Sequence, residues 1–394
     1  MEGLCDNLLD DILYRLPLKS VVTCKSISKR FNTFISDPGF ESKLFLHNSC
    51  IFHCTKDCPN FYFKVPLYPP NSDKATESSV KLPRRFKVLA YCSGLLLLLP
   101  TEGVLVLNPV TKRHQIIKIF HYDAIGLAVE PISSSLHRYK VVRISATDGD
   151  SYQFDIFSSD TMSWRRSSTK FTCMVMSNFN NDALPIYSHG TLHWIRKCND
   201  ILAFDIEKEE ARIIELPLNL PLPFEYWTSW FGVVNGLLTL ISTSSKEILV
   251  WILNDYKNVE RVLKTRITYI INSEWSIRIP IFYDGERLVL YLRNVNAGEN
   301  GEFCMYDIAT DKWRKIGMVW AILDNIRAFV PFVPSLAEIK TTTWPDVSTR
   351  VVQILHKLSL LLGGGVTLKK DVLQLKWAEP NSHSKIHERR CGEA

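Results

Sequence analysis

No stretch of this 394-residue chain is apolar for about eighteen residues, so no membrane-spanning helix is expected. Lys and Arg do not cluster among aromatics, and the net charge is only +6, which argues against a nucleic-acid-binding surface. Gly-x-Ser-x-Gly, His-Glu-x-x-His and Walker sequences are all missing. The triple glycine 363–365 has no Gly-Lys-Ser/Thr after it and cradles no phosphate. The ten cysteines form no paired Cys-x-x-Cys half-sites. His47, Cys50, His53, Cys54 and Cys58 lie within twelve residues. Their alternation in a strand-like run points neighbouring side chains to opposite faces, so they read as ordinary strand and turn residues, not zinc ligands. No metal or other cofactor is expected. Scattered thiols and a helical pattern starting directly at the methionine, with no leader, fit a reducing cytosolic or nuclear setting.

What the chain does contain begins with a compact helical pattern. Leu8, Leu9, Ile12, Leu13 and Leu16 share one helical stripe, with Asp6 or Asn7 placed to cap it and Pro17 to end it. Ile27, Phe31, Phe34 and Ile35 form a second stripe. Asp37-Pro38 then reads as an N-cap with proline in the first turn of a third helix. Three short helices within about forty-eight residues enclose little apolar surface, so this module (residues 1–48) needs a neighbour.

Within a β region read as residues 86–339, the stretch 86–317 repeats. A strand followed by a polar turn recurs, and Leu107, Phe157, Phe204, Trp251 and Tyr306 mark copies spaced 50, 47, 47 and 55 residues apart. Ser93-Gly94, His189-Gly190, Asn235-Gly236 and Asp284-Gly285 mark hairpins that need positive φ. Ser133 to Ser135 supplies the one missing from the series. A unit of about fifty residues with four short strands is one propeller blade. Strand-like 60–65 and 327–333 flank the copies, and pairing of these two ends would close a ring of about six blades. Residues 49–85 therefore read as connecting strands and a loop. Residues 340–394 read as a tail with one helix over 347–362.

Candidate acids Asp155, Asp205 and Asp307 recur at the same place in their repeats and read as turn residues. His189 and His193 flank a hairpin and read as structural. Trp164, Trp194, Trp251 and Trp313 are expected to pack between blades. The proline- and aromatic-rich segment 217–230 offers Tyr226, Trp227 and Trp230 either as recognition anchors or as a packed inter-blade crossover.

The N-terminal module resembles an F-box, through Leu4, Leu8, Ile12-Leu13, Arg15-Leu16-Pro17, Lys19-Ser20, Ile27-Ser28-Lys29 and Ser36-Asp37-Pro38 before Phe40. Cys5, Asn7 and Phe31 depart from that family's usual proline, acidic residue and tryptophan. The repeats resemble the F-box-associated kelch-like region of plant F-box proteins. That likeness is carried by Cys92-Ser93-Gly94-Leu95-Leu96, Leu107 to Thr111, Tyr139 to Val142, Gly190 to Trp194 and Phe204-Asp205-Ile206. The resemblance implies a mainly β protein with a three-helix α module and a kelch-like propeller. It also implies a non-catalytic substrate receptor that docks a SKP-family adaptor, and through it a cullin, while the propeller holds a target protein. The implied adaptor contacts are Leu4, Leu8, Ile12, Leu13, Leu16, Pro17, Ile27, Lys29 and Phe31. A scaffold working outside any ligase and an enzyme using the propeller channel are the other two classes.

Overall fold

The computed structural model describes residues 5–55, 61–66, 78–81, 87–99, 103–133, 136–147, 151–173, 179, 183–198, 200–216, 229–244, 247–253, 261–268, 277–293, 300–320, 326–336, 338–341, 353, 357 and 358. The module holds four helices where the apolar stripes predict three: α1 (Asp6–Arg15), α2 (Leu18–Cys24), α3 (Lys29–Ile35) and α4 (Pro38–His47). Pro17 ends α1 as expected, but it also stands as the N-cap of α2, so the chain restarts a helix at once. The expected cap of α1 moves too. Cys5 is the N-cap residue and makes no side-chain cap bond, and Asp6 lies in the first turn. Ser28 Oγ and Asp37 Oδ1 cap α3 and α4 by accepting from the Phe31 and Phe40 amides at 3.3 and 2.9 Å. Leu9, Leu13, Leu18, Val21, Ile35, Phe40 and Leu44 fill the middle of the module.

The β region opens with β1 (Cys50–Thr55), β2 (Phe61–Pro66) and β3 (Ser78–Lys81). Five blades of consecutive strands follow. The first is β4 (Lys87–Cys92), β5 (Leu95–Leu99), β6 (Val104–Leu107) and β7 (His114–Ile117). The second is β8 (Ala124–Ser133), β9 (Leu136–Thr147), β10 (Ser151–Ser158) and β11 (Ser163–Thr172). The third is β12 (Ile186–Ser188), β13 (Thr191–Ile195), β14 (Asp200–Asp205) and β15 (Glu210–Glu215). The fourth is β16 (Ser229–Val234), β17 (Leu237–Thr243), β18 (Glu247–Leu253) and β19 (Arg261–Thr268). The fifth is β20 (Ile277–Tyr283), β21 (Arg287–Arg293), β22 (Asn300–Asp307) and β23 (Lys312–Trp320). Where the sequence pattern predicts about six, the blades built from consecutive strands number five.

A further sheet joins the two ends of the propeller region. β24 (Ile326–Phe332) pairs antiparallel with β1, and β2 and β3 continue that sheet outward. The partner of the C-terminal strand is thus Cys50–Thr55, not the expected 60–65, which lies one strand further out. A short β25 (Glu338–Ile339) adds a parallel pairing to β9.

Glycine sits where the hairpins demand it. Ser93-Gly94, His189-Gly190 and Asn235-Gly236 have positive φ at both residues, the geometry of a two-residue turn that matches strand twist. Ser133 pairs with Leu136 where β8 and β9 run antiparallel. Blade interiors read as continuous apolar runs because neighbouring blades cover both faces of each sheet. Leu95 to Leu98 are all buried. Successive core layers are shared between neighbours. Phe154 of the second blade, for example, stacks on Phe204 of the third with centroids 4.1 Å apart. Trp194 belongs to that same layer and donates to the Ile125 carbonyl at 3.3 Å. Trp164, Trp251 and Trp313 also pack against such layers, as the repeat predicts.

Candidate partner-binding surface

Helix α1 presents two faces of opposite character. Leu9 and Leu13 point into the module, while Leu8 is 53% exposed and Ile12 44%. Four residues apart, Leu8 and Ile12 lie one above the other on the outer side. Ile27, between α2 and α3, is 61% exposed. An ion pair from Arg30 to Asp6 at 3.0 Å brings the start of α3 to the start of α1, and Arg15 pairs with Asp11 at 3.1 Å. Both pairs are largely solvated and add little stability, under about 1 kcal/mol each. The result is an apolar patch with a charged rim.

The residues implied by the resemblance therefore divide. Leu8, Ile12, Pro17, Ile27 and Lys29 are exposed. Leu13, at 1% exposure, lies in the core shared by the four helices and not on the open face. Leu16 and Phe31 are half-buried against the same core. Leu4 lies outside the described residues.

The module is seated on the propeller. Val110, in the β6–β7 turn, packs against the module's core. Beneath α4 runs a strap formed by residues 333–336. Tyr91 Oη accepts from the Val333 amide at 2.9 Å and lies 3.1 Å from the Val333 carbonyl, to which it donates. Asn108 Nδ2 donates to the Ser335 carbonyl at 3.1 Å while its Oδ1 accepts from the Val110 amide at 2.9 Å. The strap then enters β25, where Arg113 pairs with Glu338 at 3.5 Å. Sequence reading marks Asn108 only as a turn residue. Nothing in its neighbourhood signals the second role, because the partner lies 227 residues away.

On the propeller, Trp230 is half-buried in the layer between the fourth and fifth blades, and its ring lies over Gly232. A Cβ there would meet the indole at 2.3 Å, so part of the Trp230 ring packs on its own strand. Tyr226 and Trp227 lie outside the described residues. Asp205 and Asp307 hold turns as read: Asp205 accepts from the Glu207 amide at 3.0 Å and Asp307 from the Thr310 amide at 2.9 Å. Asp155 does not. It is buried inside β10, with Arg143 and Arg166 at 2.9 and 3.1 Å, and the matching turn position is Ser158, three residues later. Phe157 precedes Ser158 as Phe204 precedes Asp205 and Tyr306 precedes Asp307, so Asp155 stands two residues before the mark of its repeat and not just after it. His47 ends α4 edge-on to Tyr14, and Cys50 is buried in β1. The side chains of His53 and Cys54, and residue Cys58, lie outside the described residues.

A buried guanidinium also escaped the sequence reading. Arg196 is held by Asp200 through contacts of 2.6 and 2.5 Å and reaches Tyr152 Oη at 3.4 Å. Burial alone would lower its pKa. The Asp200 carboxylate outweighs this and holds it above the ordinary arginine value.

His193 is buried in β13. Burial is the main cause that pushes its pKa down to about 4; its bond to the Ile186 carbonyl opposes this, and nearby Arg212 and His189 add to it. The folded value lies below the ordinary 6.5, so unfolding takes up a proton below that pH. Stability present above pH 6.5 is therefore lost as pH falls toward 4, by on the order of 2–3 kcal/mol. Urea denaturation from pH 7 to pH 4.5 should show this slope, and His193→Gln should flatten it.

Comparison with known proteins follows the same division of the chain. The F-box domain family model matches residues 1–43, and the F-box associated beta propeller domain model matches residues 70–339. Arabidopsis thaliana At1g20795, named as an F-box protein, is 31% identical over 364 residues, covering 84% of this chain and 85% of its own length. At1g20790 of the same plant, named as an F-box/kelch-repeat protein, is 30% identical over 360 residues, covering 86% and 78%. Among solved structures, the WD40 domain of SCAP from fission yeast aligns with a TM-score of 0.35 at 10% identity, covering 69% of this chain and 90% of that one.

Proposed function

The chain belongs to the F-box-associated β-propeller family of F-box proteins, and from that premise we propose that it is the substrate-recognition subunit of a cullin–RING ubiquitin ligase. The observation that carries this reading is the exposed trio Leu8, Ile12 and Ile27 on a module whose other large apolar side chains are mostly packed. Half-exposed leucine and isoleucine side chains gain about 1 kcal/mol each when a partner's groove covers them. A SKP-family adaptor is the partner that an F-box serves. On this reading Pro17 and Lys29 border the contact. Leu13, Leu16 and Phe31 shape it from beneath, and Leu4 extends it.

The propeller side of the reading follows from where the module sits. The 93–94 hairpin and the β6–β7 turn lie under the strap and module, so the opposite side of the ring is left for a target protein. We assign Tyr226 and Trp227, from the stretch of sequence that links β15 to β16, to contact with that target. The sheet that joins β24 to β1–β3 ties the two ends of the propeller region together and helps keep the target platform rigid. This chain performs no covalent step. It raises the local concentration of target lysines near the conjugating enzyme, and ubiquitin transfer belongs to other subunits. Its working compartment is the cytosol or nucleus.

The test is reconstitution. Purified chain mixed with a SKP-family adaptor and a cullin–RING core should elute as one complex. Failure to bind the adaptor removes the proposal. Binding of adaptor without cullin points to the scaffold reading instead.

A further inference from the structure

Between α4 and the strap lies a cleft of about 470 Å³. Its walls come from both halves of the protein. The module supplies Glu41, Ser42 and Phe45 from α4, and the ring supplies Pro131 from β8, His137 from β9 and Leu336 from the strap. Glu41 is the one carboxylate, and no Lys or Arg stands among the described residues that line the cleft.

Glu41 is 9% exposed. Its carboxylate makes no hydrogen bond among the described residues, and Lys25 Nζ, its ion-pair partner, is 4.0 Å away, too far for one. Burial pushes the Glu41 pKa up, and Lys25 only partly opposes this. Burial also pushes the His137 pKa below its ordinary 6.5, so the ring side brings no cation to the carboxylate at pH 7. A carboxylate taken out of water without donors is costly, and a ligand that carries its own donors removes that cost.

Size decides what kind of ligand. Sites for small organic molecules run from about 300 to 1,000 Å³, are mostly apolar with few polar groups, and favour the boundary between two domains. Enclosing even two turns of helix, about 10 Å wide and 11 Å long, takes roughly 850 Å³. The cleft fits the first description and is too small for the second.

We propose that this cleft binds a small organic ammonium compound, its charged nitrogen on Glu41 and its apolar body against Phe45, Pro131 and Leu336. Such a ligand touches α4 and the ring at once, so its binding fixes the angle at which the module is held. The inference goes beyond adaptor binding and stands without it.

Ligand-observed NMR titrations on the full chain at pH 7 test it with three matched probes: naphthylethylamine, its N-acetyl amide and naphthylpropionate. The amine should bind with a Kd of about 1 mM or tighter, and the amide and the acid about tenfold more weakly or worse. Glu41→Gln should weaken the amine by about tenfold or more. Ser42→Arg, at an exposed position beside Glu41, should abolish amine binding without changing the melting curve, because the introduced guanidinium competes for the carboxylate. This second variant keeps the test open if Glu41→Gln unfolds. No binding of the amine up to about 10 mM, equal binding of the acid, or unchanged binding to Ser42→Arg each overturn the proposal. Tighter binding of the blocked peptide Ala-Leu-Lys-Leu-Ala than of the amine assigns the cleft to a protein segment and also overturns it. No adaptor is present in these measurements, so their failure leaves the ligase reading standing.

Discussion

Leu8→Asp combined with Ile12→Asp weakens adaptor binding by more than 100-fold while thermal unfolding stays within about a degree of the parent. The two side chains are about half exposed, so a carboxylate at either site remains hydrated in the free chain. In the complex the same carboxylates would enter an apolar groove unpaired. That costs the lost burial, about 1 kcal/mol at each position, plus a desolvation penalty of at least a further 1–3 kcal/mol. Leu13→Ala makes the opposite pattern. It leaves a cavity in the core shared by the four helices, lowers module stability by about 2–5 kcal/mol, and reduces binding only as far as the module unfolds. Titration calorimetry with the adaptor, paired with a melting curve for each variant, separates the two. If Leu8→Asp with Ile12→Asp binds normally, the apolar patch is not the adaptor surface. If Leu13→Ala loses binding while fully folded, the division of α1 into core and contact faces is wrong.

That division was only half legible in the sequence. The 3.6-residue stripe through Leu8, Leu9, Ile12, Leu13 and Leu16 is wide, and periodicity alone assigns all of it to one apolar face. The fold splits the stripe because Leu9 and Leu13 join the core that all four helices share, while Leu8 and Ile12 stay outside it. Sequence pattern also merged α2 into its surroundings, since seven residues carry less than two turns of period. The blades were easier. Their mark is a turn chemistry repeated at fixed spacing, and Asn108, Asp205 and Asp307 each accept backbone amides at that point. Asp155 was misplaced because it precedes its blade's turn by three residues while sitting in a similar-looking string. Pairings between distant parts of the chain left no such mark. The partner of β24 was chosen one strand off, and the contact of Asn108 with the strap had no local signature at all.

The strap yields the second large effect. Gly94→Val should destabilise the ring by about 2–4 kcal/mol, and Gly190→Val by about half as much or less. Both glycines hold nearly the same backbone, φ +78° and +76°, so a β-branched residue pays a similar conformational strain of roughly 1–2 kcal/mol at either site. Their surroundings differ. A Cβ on Gly94 would lie 2.6 Å from Ser335 Cβ and 2.8 Å from the Ser335 backbone nitrogen, whereas Gly190 has nothing within 4 Å. Only the first substitution pushes the strap away, and with it go the Tyr91–Val333 and Asn108–Ser335 bonds. The difference between the two variants therefore measures how far residues 333–336 hold β24 in place, free of the turn's own preference. Hydrogen exchange gives the matching local result. Amides of 326–339 should lose protection in Gly94→Val and keep it in Gly190→Val, because β24 is the strand that ties the end of the propeller to β1. Equal destabilisation by both variants would mean that the strap rests on the ring without securing it. Closure would then depend on the β1–β24 hydrogen bonds and on the apolar layer that Ile51 and Phe329 share with the fifth blade.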